Sequence, residues 1–280
     1  MTKSTARFTL VLGGGGVAGI AWETGVIAGL ADEGVDVTAA RASFGTSAGA
    51  AVAAQVTSGV PIERLYENQL AGVPFEISNS LSVGSTVKFV LAQLLPGNQH
   101  QSSRRVGKFA LHAAVGLEAK RHAVIEKRLP SHSWPDADLH IVVVDALTGV
   151  ERIITQADGI ALVDAVEASC AVPMVWPAVE LDGRVYIDGG VRSPANLDLA
   201  PGDGPVIALV PLTIAFRRAN RIAEQVKALA PRKVEVVEMS PEAKAAQGRN
   251  SLDNSVVPAV AVAGREQGRR EAARIRAAIS

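Results

Sequence analysis

The chain has one cysteine, Cys170, which excludes an internal disulfide framework and agrees with a reducing compartment. Aromatic residues make up only 4% of the 280 residues, too few for a surface that stacks nucleic-acid bases. Charge is balanced, with 28 Lys+Arg against 28 Asp+Glu, so nothing pulls the whole molecule toward a polyanion. Nucleic acid is therefore not an expected partner. The longest uncharged run, residues 42–62, is broken by Ser, Thr, Gln and Pro, so no membrane span is expected. The first seven residues are mostly polar and carry no apolar signal core, so the expected address is cytoplasmic.

What the chain has in quantity is small apolar residues. It is 48% hydrophobic, much of that Ala and Val, enough for a large core of helices packed on a parallel sheet. Residues 8–12 read as a buried strand running into four glycines, and residues 20–33 as a helix stopped at Gly34. A second strand (42–45) and an Ala-rich helix (47–58) follow, the alternation of a parallel α/β sheet. Residues 61–135 hold helical patches and no convincing strand. Strands are then expected at 139–144, 151–155, 185–187, 206–210 and 234–237, with helices at 160–169, 217–229, 241–247 and 258–279. No repeat or linker divides the chain, so residues 1–280 are expected to form one domain.

Three short motifs carry chemistry. The first is Gly13-Gly14-Gly15-Gly16-Val17-Ala18-Gly19, directly after a strand and opening a helix. Its backbone N–H groups can turn toward an anion at a helix N-terminus. Gly14, Gly16 and Gly19 fit a dinucleotide fingerprint, with Asp36 as the ribose ligand. The same N–H groups equally suit an oxyanion hole, and the motif alone leaves both open.

The second motif is Gly45-Thr46-Ser47-Ala48-Gly49, a G-x-S-x-G elbow between a strand and a helix. Ser47 either caps that helix or is a nucleophile at its N-terminus, and the strand–turn–helix context favours the nucleophile. The third is Tyr186-Ile187-Asp188-Gly189-Gly190, an ordinary Asp-Gly turn unless the acid is held against another strand's end. A Ser–acid–His order is excluded, because His100, His112, His122, His132 and His140 all precede Asp188. All five lie in the helical segment or at its exit, none in a metal-binding spacing, so neither metal nor cofactor is expected.

Taken in order, Gly14-Gly15-Gly16-x-x-Gly19, Gly45-Thr46-Ser47-Ala48-Gly49 and Asp188-Gly189-Gly190 resemble the patatin-like phospholipase family. Ala168-Ser169-Cys170-Ala171-Val172-Pro173 is similar to that family's A-S-x-A-x-P stretch, which makes Cys170 a packed residue. The resemblance covers residues 8–196. It implies a three-layer α/β/α fold with a mostly parallel central sheet and a helical cap insertion at 61–135. It implies a Ser47–Asp188 dyad in which Asp188 is the base, and oxyanion or substrate-binding positions at Gly14, Gly15, Gly16 and Ala48. A lipid or other acyl ester would be the substrate. One position departs from the pattern: Ala18 stands where the family often carries Arg or Lys.

Two rival readings are a nucleotide-binding oxidoreductase built on the glycine loop, and a regulatory or interaction protein that keeps the fold. Within the cap, residues 87–95 (VKFVLAQLL) suit a lid helix and are too short to span a bilayer. Lys and Arg at 104, 105, 108, 120, 121, 127 and 128 against Glu118 and Glu126 form either a solvated face or a patch for peripheral contact with anionic membrane. The arginines of the C-terminal helix (265, 269, 270, 274 and 276) are expected on a solvated face.

Overall fold

The computed structural model describes residues 7–72, 83–111 and 116–279. In chain order the first elements are β1 (Thr9–Leu12), α1 (Gly16–Asp32), β2 (Ala42–Thr46), α2 (Ala48–Val56) and α3 (Ile62–Leu70). Next come α4 (Val83–Leu94), α5 (Gln99–Ala110), α6 (Glu118–Arg128), β3 (Asp138–Asp145), β4 (Glu151–Ile154) and α7 (Leu162–Ser169). The last are β5 (Val179–Leu181), β6 (Arg184–Asp188), β7 (Val206–Val210), α8 (Ile222–Ala228), β8 (Val234–Glu238), α9 (Pro241–Gln247) and α10 (Val257–Ile279). His112 and residues 73–82 of the expected cap lie outside the described residues.

The sheet order is β5-β6-β3-β2-β1-β7-β8, with β4 paired to β3 off that path. β1, β2, β3, β7 and β8 run parallel, while β4 and β6 run antiparallel to β3. Alternation along the strands buries both faces. Leu10 and Leu12 point into a core shared with α1, α2, α7 and α10, and Val11 joins Phe44, Val142 and Ala208 on the other side. The result is the three-layer, mostly parallel α/β arrangement expected from the motifs.

The register on β3 sets the site. β2 ends with Thr46 opposite Val142, and β6 ends with Asp188 opposite Val143. Because β4 fills the other edge of β3 over Ile141 to Val144, β2 and β6 share one edge and meet end to end. Both carboxyl ends therefore arrive at the same place, the side of a parallel sheet where loops carry chemistry.

Several boundaries differ from the sequence pattern. α1 begins at Gly16, four residues before the apolar periodicity, because tertiary packing holds even its glycine-rich first turn. A hairpin, β5–β6, was not expected; its turn is Asp182-Gly183, both at positive φ (51° and 71°), a type I′ signal visible in the sequence. The stretch 217–229 is a short 3₁₀ turn followed by α8 rather than one helix.

The helices of 61–135 pack in different places: α3 on α1 and α10, α5 on α4 and β3, and α6 on α7. The arginines of α10 are not all solvated. Arg265 bonds both Asp32 of α1 and Glu63 of α3, at 2.7–2.9 Å, and so ties three helices together.

Candidate active site

Ser47 stands on the turn between β2 and α2 with φ 54° and ψ −118°, a left-handed conformation that costs a non-glycine residue roughly 1–3 kcal/mol. The turn is this sharp because both flanking glycines are needed. A Cβ on Gly45 would lie 2.5 Å from Ala50 Cα, and one on Gly49 would lie 2.1 Å from the carbonyl oxygen of Leu12. Strain of this kind persists where surrounding structure over-determines it. The Ser47 N–H donates to Ser169 Oγ at 2.9 Å, and Ser169 Oγ donates to the Val142 carbonyl at 2.7 Å.

The hydroxyl of Ser47 donates to Asp188 Oδ2 at 2.6 Å. The other carboxylate oxygen, Oδ1, accepts from the Gly190 N–H at 2.7 Å, and the Asp188 N–H donates to Ala171 at 3.0 Å. Asp188 is 4% exposed. Burial lifts its pKa from 3.8 to about 6, against the opposing pull of the Ser47 hydroxyl, the Gly190 N–H and the Arg121 guanidinium. A carboxylate at that pKa is ionised at neutral pH yet basic enough to take a proton.

Asn196 joins the two halves: its side-chain amide donates to Thr46 Oγ1 (3.2 Å), the Gly189 carbonyl (3.1 Å) and the Ser193 carbonyl (2.7 Å). Thr46 and Gly189 are the immediate neighbours of Ser47 and Asp188.

The glycine loop passes beside Ser47. Gly14, expected among the oxyanion positions, gives its N–H to the Pro194 carbonyl at 2.7 Å and so cannot donate it elsewhere. Its part is the close approach, since a Cβ there would meet Ser47 Cβ at 3.4 Å. Gly16 (φ +63°) and Ala48 open α1 and α2, and both line the pocket over Ser47. Two helix N-termini thus flank one small space, which favours negative charge there.

That space is about 20 Å³, room for a water molecule. Arg121, Arg128, Cys170, Val172, Trp176 and Leu252 close it. Arg121, 4% exposed, lies 4.3 Å above the Trp176 ring. Burial raises the Cys170 thiol to about 11, so it is a packed residue and no rival nucleophile.

The described histidines stand apart from the dyad. His100 lies 3.3 Å from Glu151, His132 bonds the Glu126 carbonyl, and His122 Nδ1 is 2.6 Å from Glu167. His140 is on β3 beside Phe44, in the central sheet rather than in the cap. Among the described residues, His122, Asp164 and Glu167 come within reach of one metal ion, their ligand atoms lying within 4.8 Å. The hydrogen bond from His122 to Glu167 accounts for that closeness, and it raises the His122 pKa. Asp36 precedes β2 on an exposed turn, bonded to Thr38, at the end of the sheet opposite the glycine loop. A dinucleotide's ribose ligand would sit at the other end, so that reading is removed.

The sequence reading missed Asn196, Arg121, Arg128 and Leu252 as site residues. The arginines did leave a signal: Arg121, Val124, Ile125 and Arg128 follow i, i+3, i+4, i+7 spacing, with arginines at both ends of an apolar stripe.

The patatin-like phospholipase family pattern matches residues 10–201, which is 192 of the 280 residues. The chain belongs to that family. Among solved structures, VipD from Legionella pneumophila is similar with a TM-score of 0.51 at 12% identity, covering 96% of this chain and 67% of that one. The type III effector protein ExoU gives a TM-score of 0.43 at 13% identity over 96% of this chain, which spans 53% of ExoU. A comparison with curated proteins returns no match. At 12% identity the VipD likeness speaks for the patatin-like fold alone. Family membership supports lipid acyl hydrolase chemistry in general, and Ser47 and Asp188 both fall within the matched residues.

Proposed function

We propose that this chain hydrolyses acyl esters through a Ser47–Asp188 dyad, with the N–H groups of Gly15, Gly16 and Ala48 as oxyanion donors. The observation that carries the reading is the 2.6 Å hydrogen bond from a serine on a strained elbow to a buried carboxylate whose pKa is about 6.

Ser47 Oγ attacks the ester carbonyl carbon as its proton passes to Asp188 Oδ2. The carbonyl oxygen becomes an alkoxide stabilised by the N–H donors and the two helix N-termini. Collapse breaks the ester bond, and Asp188 returns the proton to the departing alkoxide. Water then attacks the acyl-serine, Asp188 takes its proton, and Ser47 leaves with that proton as the acid is released. One carboxylate performs both transfers, so no imidazole is required.

The space over Ser47 is too small for an ester, so α6 and the Ser251–Leu252 turn serve as the cover and move aside for substrate. The expected lid residues 87–95 are instead a surface feature. Val87, Leu91, Leu94 and Leu95 are exposed, beside exposed Ile214 and Phe216, whose ring meets Phe89 at 5.9 Å. Flanked by exposed Lys88 and Arg218, this face suits shallow contact with an anionic lipid surface. No helix of the described residues is long and apolar enough to cross a membrane.

The test is hydrolysis of p-nitrophenyl butyrate by the wild-type protein and by Ser47→Ala. Wild-type turnover with a loss of about a thousandfold or more in the variant supports the reading. Equal rates in a folded variant would remove it, and an inert wild type would favour the regulatory or interaction reading. For the lipid contact, Leu91→Asp/Leu94→Asp should release the protein from phosphatidylglycerol vesicles; unchanged binding would remove that part.

A further inference from the structure

The Asp188 carboxylate stands at one end of a chain of hydrogen bonds that begins at a guanidinium. Arg192 Nη1 donates to Asn196 Oδ1 at 3.0 Å, and Asn196 Nδ2 donates to the Gly189 carbonyl at 3.1 Å. That carbonyl and the Gly190 N–H are the two ends of one peptide unit, and the N–H donates to Asp188 Oδ1 at 2.7 Å. From Arg192 onward every donor points toward the carboxylate that accepts from Ser47. Hydrogen bonds aligned in this way polarise one another by about 10–30% per bond, and a cation at the head strengthens the first of them.

Glycine makes the anchoring necessary. A Cβ on Gly189 would lie 2.5 Å from the Val142 carbonyl oxygen, and one on Gly190 would lie 2.9 Å from Asp188 Oδ1. Packing therefore demands glycine on both sides of the peptide that serves Asp188, and two glycines leave that peptide the freest to rotate. Its carbonyl is held from outside, by the buried Asn196 amide and by the Arg192 N–H at 3.1 Å. The second of these bonds belongs to the backbone and survives a change of the Arg192 side chain.

Arg192 is itself fixed and mostly buried. Its Nη1 and Nη2 fork onto the two Asp198 oxygens at 3.0 and 2.6 Å, and its Nε lies 3.3 Å from Glu151. A guanidinium carries donors only, so the Asn196 amide keeps its oxygen toward Arg192 and its nitrogen toward Gly189 and Thr46. Two carboxylates beside one guanidinium offset its field at a distance, so the bonded chain is what reaches Asp188. Facing Asp188 from elsewhere are the Arg121 guanidinium and the Cys170 thiol, and behind Glu151 stands His100.

We propose that Arg192 is a positioning residue for the base: through Asn196 it holds the Gly189–Gly190 peptide with its N–H on Asp188, which favours the carboxylate over the carboxylic acid. With the chain broken, the N–H sits less squarely on Oδ1 and Asp188 keeps its proton to higher pH. The kinetic consequences rest on the dyad reading, whereas the titration of Asp188 can be read without turnover.

The test follows that titration by NMR in protein isotope-labelled at its aspartate carboxyls, the Asp188 signal being the one lost in Asp188→Asn. Arg192→Gln should raise the Asp188 midpoint by about half a unit or more. The ascending limb of kcat/KM for p-nitrophenyl butyrate should move up with it, whereas general structural damage would lower the rate and leave the limb in place. Asn196→Ala should shift the midpoint in the same direction, and adding Arg192→Gln to that variant should shift it no further. Where Arg192→Gln does not fold, Arg192→Lys serves: it keeps a charge beside Asp198 but cannot fork to Asn196 as well, and should raise the midpoint by less.

An unchanged midpoint in the folded Arg192 variant would overturn the proposal. So would a full additional shift in the Asn196→Ala background, because Arg192 would then act by its field and not through the chain. A midpoint that moves as expected in a protein that hydrolyses no ester would keep the positioning role and remove the hydrolase reading.

Discussion

Ser47 Oγ and Asp188 Oδ2 lie 2.6 Å apart across 141 positions of sequence, and a single strand fixes that distance. Val142 and Val143, consecutive on β3, face the last residue of β2 and the last residue of β6. Ser169 adds a second tie, bonding Ser47 N–H and the Val142 carbonyl together, and Asn196 a third. The nucleophile and its acid are therefore held by rigid elements and by hydrogen bonds on both sides, as preorganised chemistry requires.

Asn196→Ala should disturb this arrangement without touching a reacting atom. It removes the amide that joins Thr46 to Gly189, so kcat for p-nitrophenyl butyrate should fall by about tenfold to a hundredfold with KM little changed. Steady-state kinetics checks it, with circular dichroism to confirm folding. A KM effect alone would assign Asn196 to substrate binding rather than positioning.

Asp188→Asn separates activity from stability. An amide cannot take the serine proton, so turnover should drop by about 10²–10⁴ or more. Stability should move the other way. The folded pKa of Asp188, about 6, is above its unfolded value of 3.8, so the carboxyl's contribution is fully present below pH 3.8 and is lost as pH rises through 6. Asparagine lacks the charge that burial penalises. Thermal melts should show the variant more stable than wild type at pH 8 and close to it at pH 4.

The pH–rate profile should rise through an apparent pKa near 6 that belongs to Asp188. Its position mimics an imidazole, so replacement decides the assignment. Substituting His100, His122, His132 or His140 singly should leave kcat/KM within about tenfold and leave the limb in place, since none of them bonds Ser47 or Asp188. His112, outside the described residues, belongs in the same series. Loss of the limb in any one variant would replace the dyad by a triad.

Much of this site was legible as a sequence because its parts are local. Gly45, Ser47 and Gly49 encode an elbow whose clashes are with near neighbours or with Leu12 and Gly13 at the end of β1, and Asp188-Gly189 encodes a turn at a strand end. The meeting of β2 with β6 was not legible, because antiparallel insertion of β6 on the edge of β3 depends on non-local pairing. Arg121 and Arg128 were hidden by composition: counted in a basic run, they read as solvent-facing, whereas the stripe they share with Val124 and Ile125 turns them inward. Gly14 shows the limit of motif transfer, since its N–H is committed to Pro194, a residue no motif near it reveals.

The elbow glycines make a stability prediction. Gly49→Ala should destabilise by about 3 kcal/mol or more, because its Cβ would sit 2.1 Å from the Leu12 carbonyl oxygen and 2.8 Å from that of Gly13. Gly59→Ala, with φ +85° but nothing within 4 Å of its Cβ, should cost only about 1 kcal/mol. Urea unfolding of the two variants compares them directly. Equal costs would show that the close approach at Gly49 is not what sharpens the turn.

The most direct measurement is covalent labelling with a fluorophosphonate followed by peptide mass spectrometry, because only a serine whose proton can be taken reacts at an appreciable rate. Wild-type protein should carry one adduct, on the peptide containing Ser47, formed faster at pH 8 than at pH 5 as Asp188 ionises. Ser47→Ala should carry none, and Asp188→Asn should label slower by about a hundredfold or more. Labelling of Asp188→Asn at the wild-type rate, or an adduct on any serine other than Ser47, would contradict the dyad.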